Sequence, residues 1–358
     1  RWEAGQELAR RQLLALVKAA AEGVDAAIAP HFTDTWRALL LDTSITDAYK
    51  TRVLTLPSEK ELLEKLQPMD PLHAVAAVRH LRRHLGAALA SLWRDTYDAA
   101  RATDAVYSPD PVSSGKRALK NLALSYLMAA QADERTALAV DQYYNAGNMT
   151  DRMGGLTSLV HYAGPQACDE ALNHFYERWQ HDPLVMDKWF SLQATAPTTT
   201  VATVRALMLH PAFSLRNPNR ARSLIFQFCM NNLQGVHNDE GYAFWAEQVL
   251  ALDRLNPEIA ARLARAFDGG EDHVNFVMGS GLAWRYDVEP VSAFVTRENV
   301  NDLIRDGGLQ GRIGLLSVDV DGIDYWLWNE IDVVDPAIVV SEYNALLGSE
   351  ATITVPYD

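Results

Sequence analysis

Few residues of this 358-residue chain combine reactive side chains with a spacing that chemistry requires. His80 and His84 stand four apart within Arg79-His80-Leu81-Arg82-Arg83-His84, which puts two imidazoles on one helix face. A zinc peptidase needs H-E-x-x-H, where the glutamate acts as general base beside the metal. No histidine here is followed directly by glutamate. Arg79, Arg82 and Arg83 would repel a cation, so this pair reads as a solvated basic face. His237-Asn238-Asp239-Glu240 offers ligand-type side chains, but Asn238 or Asp239 reads equally well as the cap of the next helix. Cys168 and Cys229 lack metal-ligand spacing and read as reduced, buried thiols. Trp179, Trp189, Phe190 and Trp245 read as core or groove-edge aromatics. Arg222 lies one turn into a helix that Asn217 caps and Pro218 opens. A cation there is far from the C-terminal end where the helix dipole favours it. It is either a solvated surface residue or one that faces a charged partner.

The elements that must position these residues are helices as far as about residue 266. The apolar spacing predicts helices over Trp2–Ala21, His31–Leu41 and Asp47–Leu54. Ser58 with Glu61 makes a capping box for the next. Asp70-Pro71 opens a long helix with Leu81, Leu85, Leu89 and Leu92 on one face. Further helices are predicted over 113–130, 133–145, 150–162, 166–179, 183–195, 198–210 and 241–254. A start signal recurs at Asp70-Pro71, Asp182-Pro183, Asn217-Pro218 and Asn256-Pro257, and the last two lie 39 residues apart. That interval is close to the ~40–47 residues of two-helix solenoid repeats. The expected fold is mainly α: a stacked helix-pair, armadillo/HEAT-like superhelix followed by a small partial α/β Rossmann-like segment.

The bulk numbers bound the function. Apolar residues make up 48% and charged residues 22%, the balance of a soluble globular chain. No apolar run approaches the ~18 residues a membrane span needs, so no membrane partner is expected. Net charge is −14, and residues 267–358 hold 17 acidic against 4 basic side chains. Such asymmetry marks a boundary and argues against nucleic acid as a partner of the tail, because phosphate binding needs a basic face. An amphipathic helix begins at Trp2, so the native N-terminus is expected upstream of Arg1.

Several stretches, spread along the chain and in order, carry a resemblance. They are Arg1-Trp2-Glu3-Ala4, Asn145 to Asp151 (N-A-G-N-M-T-D), Leu184 to Ala194 (L-V-M-D-K-W-F-S-L-Q-A) and Asn217 to Ile225 (N-P-N-R-A-R-S-L-I). Gly241-Tyr242 after His237, and Asn256-Pro257 with Arg262-Leu263, complete the set. Residues 1–266 thereby resemble the C-terminal helical domain of bacterial aminopeptidase N, a zinc metallo-aminopeptidase. The resemblance implies a cytoplasmic domain that curls over a catalytic domain and encloses the peptide channel above the zinc. It implies that Arg222 and Arg262 face that channel and meet peptide carboxylates or carbonyls, a task suited to the guanidinium fork. The partners implied are a peptide substrate and the catalytic domain of the same polypeptide. The zinc ligands and the general base belong to that other domain, so this chain holds no cofactor and is expected not to hydrolyse peptides by itself.

The tail changes period. Strands are expected over Val291–Val295, Ile313–Val320 and Ala337–Tyr343, with helices over Arg297–Asp306 and Tyr325–Ile331. Ligands of a parallel sheet bind beyond the strand carboxyl ends, where Asp319, Asp321 and Glu342 would sit; solvated loop carboxylates are the other reading. The run L-S-V-D-V-D-G-I-D-Y-W-L-W from Leu316 to Trp328 makes residues 288–358 resemble the second half of a Rossmann-like methyltransferase family. Such enzymes bind S-adenosylmethionine on a glycine-rich first turn, of which this chain has no convincing copy, so binding of that cofactor is not expected. Both families are cut at a junction over 267–287, which suggests a chimera. A helical-repeat scaffold that binds a peptide or protein in its concave face, and a remnant methyltransferase in the tail, stand as the alternative functions.

Overall fold

A side-chain acceptor followed by proline starts one helix after another. Asp70 accepts from the His73 N–H at 3.1 Å, Asp182 from the Leu184 N–H at 3.0 Å, and Asn217 from the Asn219 N–H at 3.0 Å. Proline then fills the first helical position, where its missing N–H costs nothing. The Ser58–Glu61 capping box forms as expected, with reciprocal bonds of 2.9 and 3.3 Å. The computed structural model describes residues 2–24, 27–63, 65–66, 70–102, 107–130, 132–264, 293, 295–318 and 324–341.

The chain divides into two compact units, Arg1–Ala266 and Phe267–Asp358. Among its described residues the first unit is helical throughout. It runs α1 (Trp2–Ala21), α2 (Pro30–Leu41), α3 (Asp47–Leu54), α4 (Glu59–Leu63), α5 (Pro71–Ala88), α6 (Ala90–Ala102), α7 (Pro111–Ala130) and α8 (Ala132–Asn145). It continues through α9 (Met149–Tyr162), α10 (Pro165–Trp179), α11 (Pro183–Ala194), α12 (Val201–Met208), α13 (Pro218–Ala221), α14 (Gln227–Asn231), α15 (Leu233–Val236), α16 (Asp239–Asp253) and α17 (Pro257–Ala264). Sequential neighbours stack as pairs: α6 on α7, α8 on α9 and α16 on α17. This is the mainly α, stacked helix-pair architecture that the start signals predict.

Helix α7 is the central post, touched by α3, α5, α6, α8 and α9. Its Tyr126 stacks on Trp93 with ring centroids 4.3 Å apart and donates its hydroxyl to the Leu54 carbonyl at 2.7 Å. On its other flank the buried Lys120 ammonium meets the buried Asp151 carboxylate at 2.9 Å. Asn148, in the N-A-G-N-M-T-D stretch, caps α9 through the Asp151 N–H and donates its amide to the same carboxylate. That stretch therefore folds the α8–α9 turn.

The long helix expected from Asp70 is two. Leu89 leaves helical geometry between α5 and α6, and Trp93 rather than Leu92 is the buried residue of the next turn. The Trp93 indole donates at 3.1 Å to the Leu85 carbonyl, which also accepts from the Leu89 N–H at 3.2 Å.

In the second unit, β1 (Gly311–Val318) pairs in parallel with β2 (Val334–Ser341), Gly311 opposite Val334 and Val318 opposite Ser341. The helix α19 (Asp324–Glu330) makes the crossover, and α18 (Val300–Asp306) precedes β1. Val300, Val318 and Leu327 form a small core. Both strands begin earlier than the apolar runs indicate. The strand expected over Ala337–Tyr343 started after Pro336, which lacks a ladder donor, yet Pro336 pairs opposite Ile313. The expected helix over Arg297–Asp306 starts only at Val300, after a turn closed by the Thr296 carbonyl. Of the strand expected over Val291–Val295, residues 291, 292 and 294 lie outside the described residues, and Ala293 and Val295 pair with no strand. Asp319, Asp321 and Glu342, and the junction over 267–287, also lie outside the described residues.

Gly86 tests how tightly α5 lies on α7. A Cβ at this position would come within 2.1 Å of the Tyr126 carbonyl oxygen. Gly86→Ala should therefore cost about 2–3 kcal/mol despite the better helix propensity of alanine, read as a lower urea midpoint at unchanged slope.

Candidate functional site

The helix that Asn217 caps does not continue as a plain α-helix. After α13 it widens into a π-helical segment, Arg222–Phe226, before resuming as α14. Such a turn costs hydrogen-bond geometry and often marks a functional site. Arg222 is its first residue and is exposed, while Ser223, Leu224 and Ile225 behind it are buried.

Arg222 lines an open groove of 1010 Å³ together with α9 and α11. Met153, Thr157 and His161 form one wall, and Leu184, Lys188 and Leu192 belong to the other. The groove has its width because α11 is tied to the Asn217 helix by an ion pair. Arg220 donates to Asp187 at 2.7 Å and lies over the Phe190 ring at 5.2 Å. Ser223 also reaches the Asp187 carboxylate, at 3.4 Å. Arg220 and Arg222 are separated by about 200° around the helix. One arginine therefore faces the core and the other the groove.

A second cavity of 530 Å³ shares His161 and Thr195 with this groove and is lined by Arg79, Arg82, Arg83 and Tyr162. Arg82 donates to the Tyr162 hydroxyl at 3.1 Å. Burial, then the charges of Arg82 and Arg79, push the His161 imidazole down to about 4. It is neutral at physiological pH.

The remaining candidates settle into packing roles. His84 bonds to the Thr33 hydroxyl at 3.0 Å, and His237 to the Tyr242 hydroxyl at 2.9 Å. Asn238 caps α16 through the Gly241 N–H at 2.9 Å. Trp189 and Trp245 donate their indole N–H to the carbonyls of Leu172 and Leu263. Cys229 is buried and Cys168 half-buried, both as free thiols. Among the described residues no group of three or more His, Cys, Asp or Glu is placed to hold a metal ion. The sequence contains no H-E-x-x-H. No helix is long and apolar enough to cross a membrane among the described residues. Arg262 is exposed in the last turn of α17 and is not among the residues lining the Arg222 groove.

Residue spacing gave no weight to Arg220, Asp187 or His161. A signal for Arg220 existed: with Leu224 and Phe228 it falls on the buried i, i+4 stripe, where only a paired cation can lie. Nothing in the spacing announces the depressed histidine, because its arginines come from a helix far back in the chain.

Two measurements follow. Arg220→Met leaves Asp187 without its cation and should cost about 3 kcal/mol; Arg222→Met should stay within about 0.5 kcal/mol. Equal losses in chemical denaturation would contradict this division of labour. His161 binds its proton more weakly folded than unfolded, so stability should fall as pH drops from about 6.5 to 4, by at most about 3 kcal/mol. The difference in unfolding free energy between wild type and His161→Gln, followed over this range, isolates that contribution.

Comparison with known proteins gives a consistent picture for the first unit. The chain is 37% identical over 268 residues to aminopeptidase N of Escherichia coli (strain K12), covering 74% of this chain and 30% of that protein. It is 36% identical over 272 residues to aminopeptidase N of Caulobacter vibrioides, with 75% and 31% covered. The chain thus spans about a third of the length of these relatives. Among solved structures it is similar to a crystal structure of Legionella pneumophila aminopeptidase A in complex with aspartic acid. The TM-score there is 0.70 at 26% identity, over 86% of this chain and 36% of that one. Residues 1–272 match the ARM-repeat family described as a domain of unknown function (DUF3458_C), and the chain belongs to that family.

Proposed function

We propose that residues 1–266 act as the non-catalytic C-terminal domain of a zinc aminopeptidase. In this reading the domain encloses the peptide channel over an active site held by a catalytic domain of the same polypeptide. A cytoplasmic setting goes with it, from the same resemblance. The observation that carries the reading is the exposed Arg222 at the head of a π-helical turn, opening on a groove of 1010 Å³. It lies within a region 37% identical to aminopeptidase N. A groove of 1010 Å³ is at the upper end of ligand-cleft volumes, and an arginine on its wall offers paired donors to a carboxylate or to backbone carbonyls. Lys188 on the facing wall adds a second cation, while the Asp187 carboxylate is already engaged by Arg220. In this reading Arg262, exposed in the last turn of α17, serves the same channel.

Among the described residues no cluster could hold a metal ion and the sequence has no H-E-x-x-H, so in this reading bond cleavage belongs to the other domain. For the tail, the parallel strand–helix–strand unit supports an α/β class. Methyltransferase function forms no part of the proposal, because the carboxylates that would frame its crevice lie outside the described residues.

The purified chain, supplied with zinc, should release no N-terminal amino acid from alanyl peptides. It should bind short peptides weakly, and Arg222→Gln should weaken that binding about tenfold. Zinc-dependent release of amino acids would overturn the proposal. Tight, sequence-selective peptide binding would instead favour a helical-repeat scaffold that works without a catalytic partner.

A further inference from the structure

Helix α5 presents three arginines to one cavity. Arg79, Arg82 and Arg83 stand at i, i+3 and i+4, which puts them on a single helix face. Their cavity of 530 Å³ is closed by Met128 and Ala129 of α7, by His161 and Tyr162 at the end of α9, and by the Asn231–Gln234 segment. Arg82 is half-buried and held by the Tyr162 hydroxyl, so its guanidinium is fixed in place. Arg79 and Arg83 stand exposed at the rim. Among the described residues neither makes an ion pair within 4 Å.

The charges do not cancel. Glu59 of α4 is the sole carboxylate among the lining residues, against three guanidinium groups, which leaves the cavity doubly positive. Like charges gathered on one face destabilise a helix unless a counter-charge sits among them. Burial and the Arg83 charge both lower the affinity of Arg79 for its proton, with Glu59 and Tyr162 acting in the opposite sense. Asn231 and Gln234 add amide groups to the wall.

We infer that this cavity is a binding site for a doubly charged oxyanion, a dicarboxylate or a tetrahedral dianion, held between Arg79, Arg82 and Arg83. Two formal negative charges would neutralise it, and forked guanidinium groups match such oxygens in pairs. The site is independent of the peptide-channel reading, since none of its arginines lines the Arg222 groove.

His161 provides a reporter inside the cavity. The charged and titratable groups that line the two cavities with it are Arg79, Arg82 and Arg83 from α5, Glu59 from α4, its neighbour Tyr162, and Asp187, Lys188 and Arg222; of these Arg82 and Arg79 act on its charge. Burial, then the Arg82 and Arg79 charges, push its imidazole down to about 4. A bound dianion offsets the arginine charges and moves that titration up towards the ordinary ~6.5.

The test uses the full chain at low salt, with calorimetric titration of sulfate, which stays dianionic across the pH range, and of N-acetyl-aspartate as the carboxylate source. Binding of either should weaken about tenfold in Arg79→Gln and in Arg83→Gln, both rim residues whose loss leaves the fold intact. It should be unchanged in Arg222→Gln and fade with added salt. Proton NMR of His161 should show its titration rising on binding. Sulfate alone, N-acetyl-aspartate alone or both binding in this way supports the site and tells which oxyanion geometry it prefers. Absence of binding for both at ten millimolar overturns it. So does acetate binding as tightly as either, or affinity indifferent to the rim arginines.

Discussion

The ion pair between Arg220 and Asp187 is the constraint on which the groove depends. Helix α11 and the helix begun at Asn217 are joined by a long connection through α12, so sequence proximity alone would not hold them at a fixed distance. The 2.7 Å contact does so, with Phe190 beneath the guanidinium and Ser223 beside the carboxylate. A pair this deeply placed recovers little net energy, since desolvation consumes most of the Coulomb gain. What it contributes is register: α11 and the π-helical turn meet in one arrangement, and Arg222 points away from it into open space.

The two cavities on either side of His161 differ in how charge is managed. In the Arg222 groove, Asp187 and Lys188 are on the same wall as apolar Leu184 and Leu192, so a peptide would meet a mixture of apolar contact and isolated charge. In the α5 cavity three arginines face one carboxylate. The imidazole between them is held neutral by burial and by the arginines, and gains a proton only in strong acid. The ridge that divides the two surfaces is therefore uncharged, and each surface keeps its own electrostatic character.

Local chemistry was the most legible part of this sequence. Asp70, Ser58, Asp182 and Asn217 were recognisable as caps because capping is settled within four residues. The stacked-pair class followed from the same signals. What escaped was decided over longer distances. At the break between α5 and α6 Trp93 reaches back to the Leu85 carbonyl, and an unbroken leucine stripe gives no hint of it. In the tail both strands begin before their apolar runs, at pairings such as Pro336 opposite Ile313 that only the partner strand sets. At the site, the resemblance directed notice to Arg222 and Arg262 together. Arg222 is on a groove wall, and Arg262 is exposed in the last turn of α17.

The stretches that carry the resemblance divide by physical role. N-A-G-N-M-T-D is committed to packing: Asn148 caps, Asp151 takes the Lys120 ammonium, and the neighbouring Arg152 satisfies the carbonyls of Tyr143 and Ala146 at the end of α8. Two buried acceptors there, Asp151 Oδ1 and Gln142 Oε1, have no protein partner and line a cavity large enough for water, which commonly completes such a network. L-V-M-D-K-W-F-S-L-Q-A serves both ends, with Asp187, Trp189 and Phe190 holding the fold while Leu184, Lys188 and Leu192 line the groove. These stretches therefore hold two kinds of side chain. Arg220 illustrates the first, a buried charge paired with Asp187 within the packing. Arg222 illustrates the second, an exposed charge on the groove wall beside buried Ser223, Leu224 and Ile225.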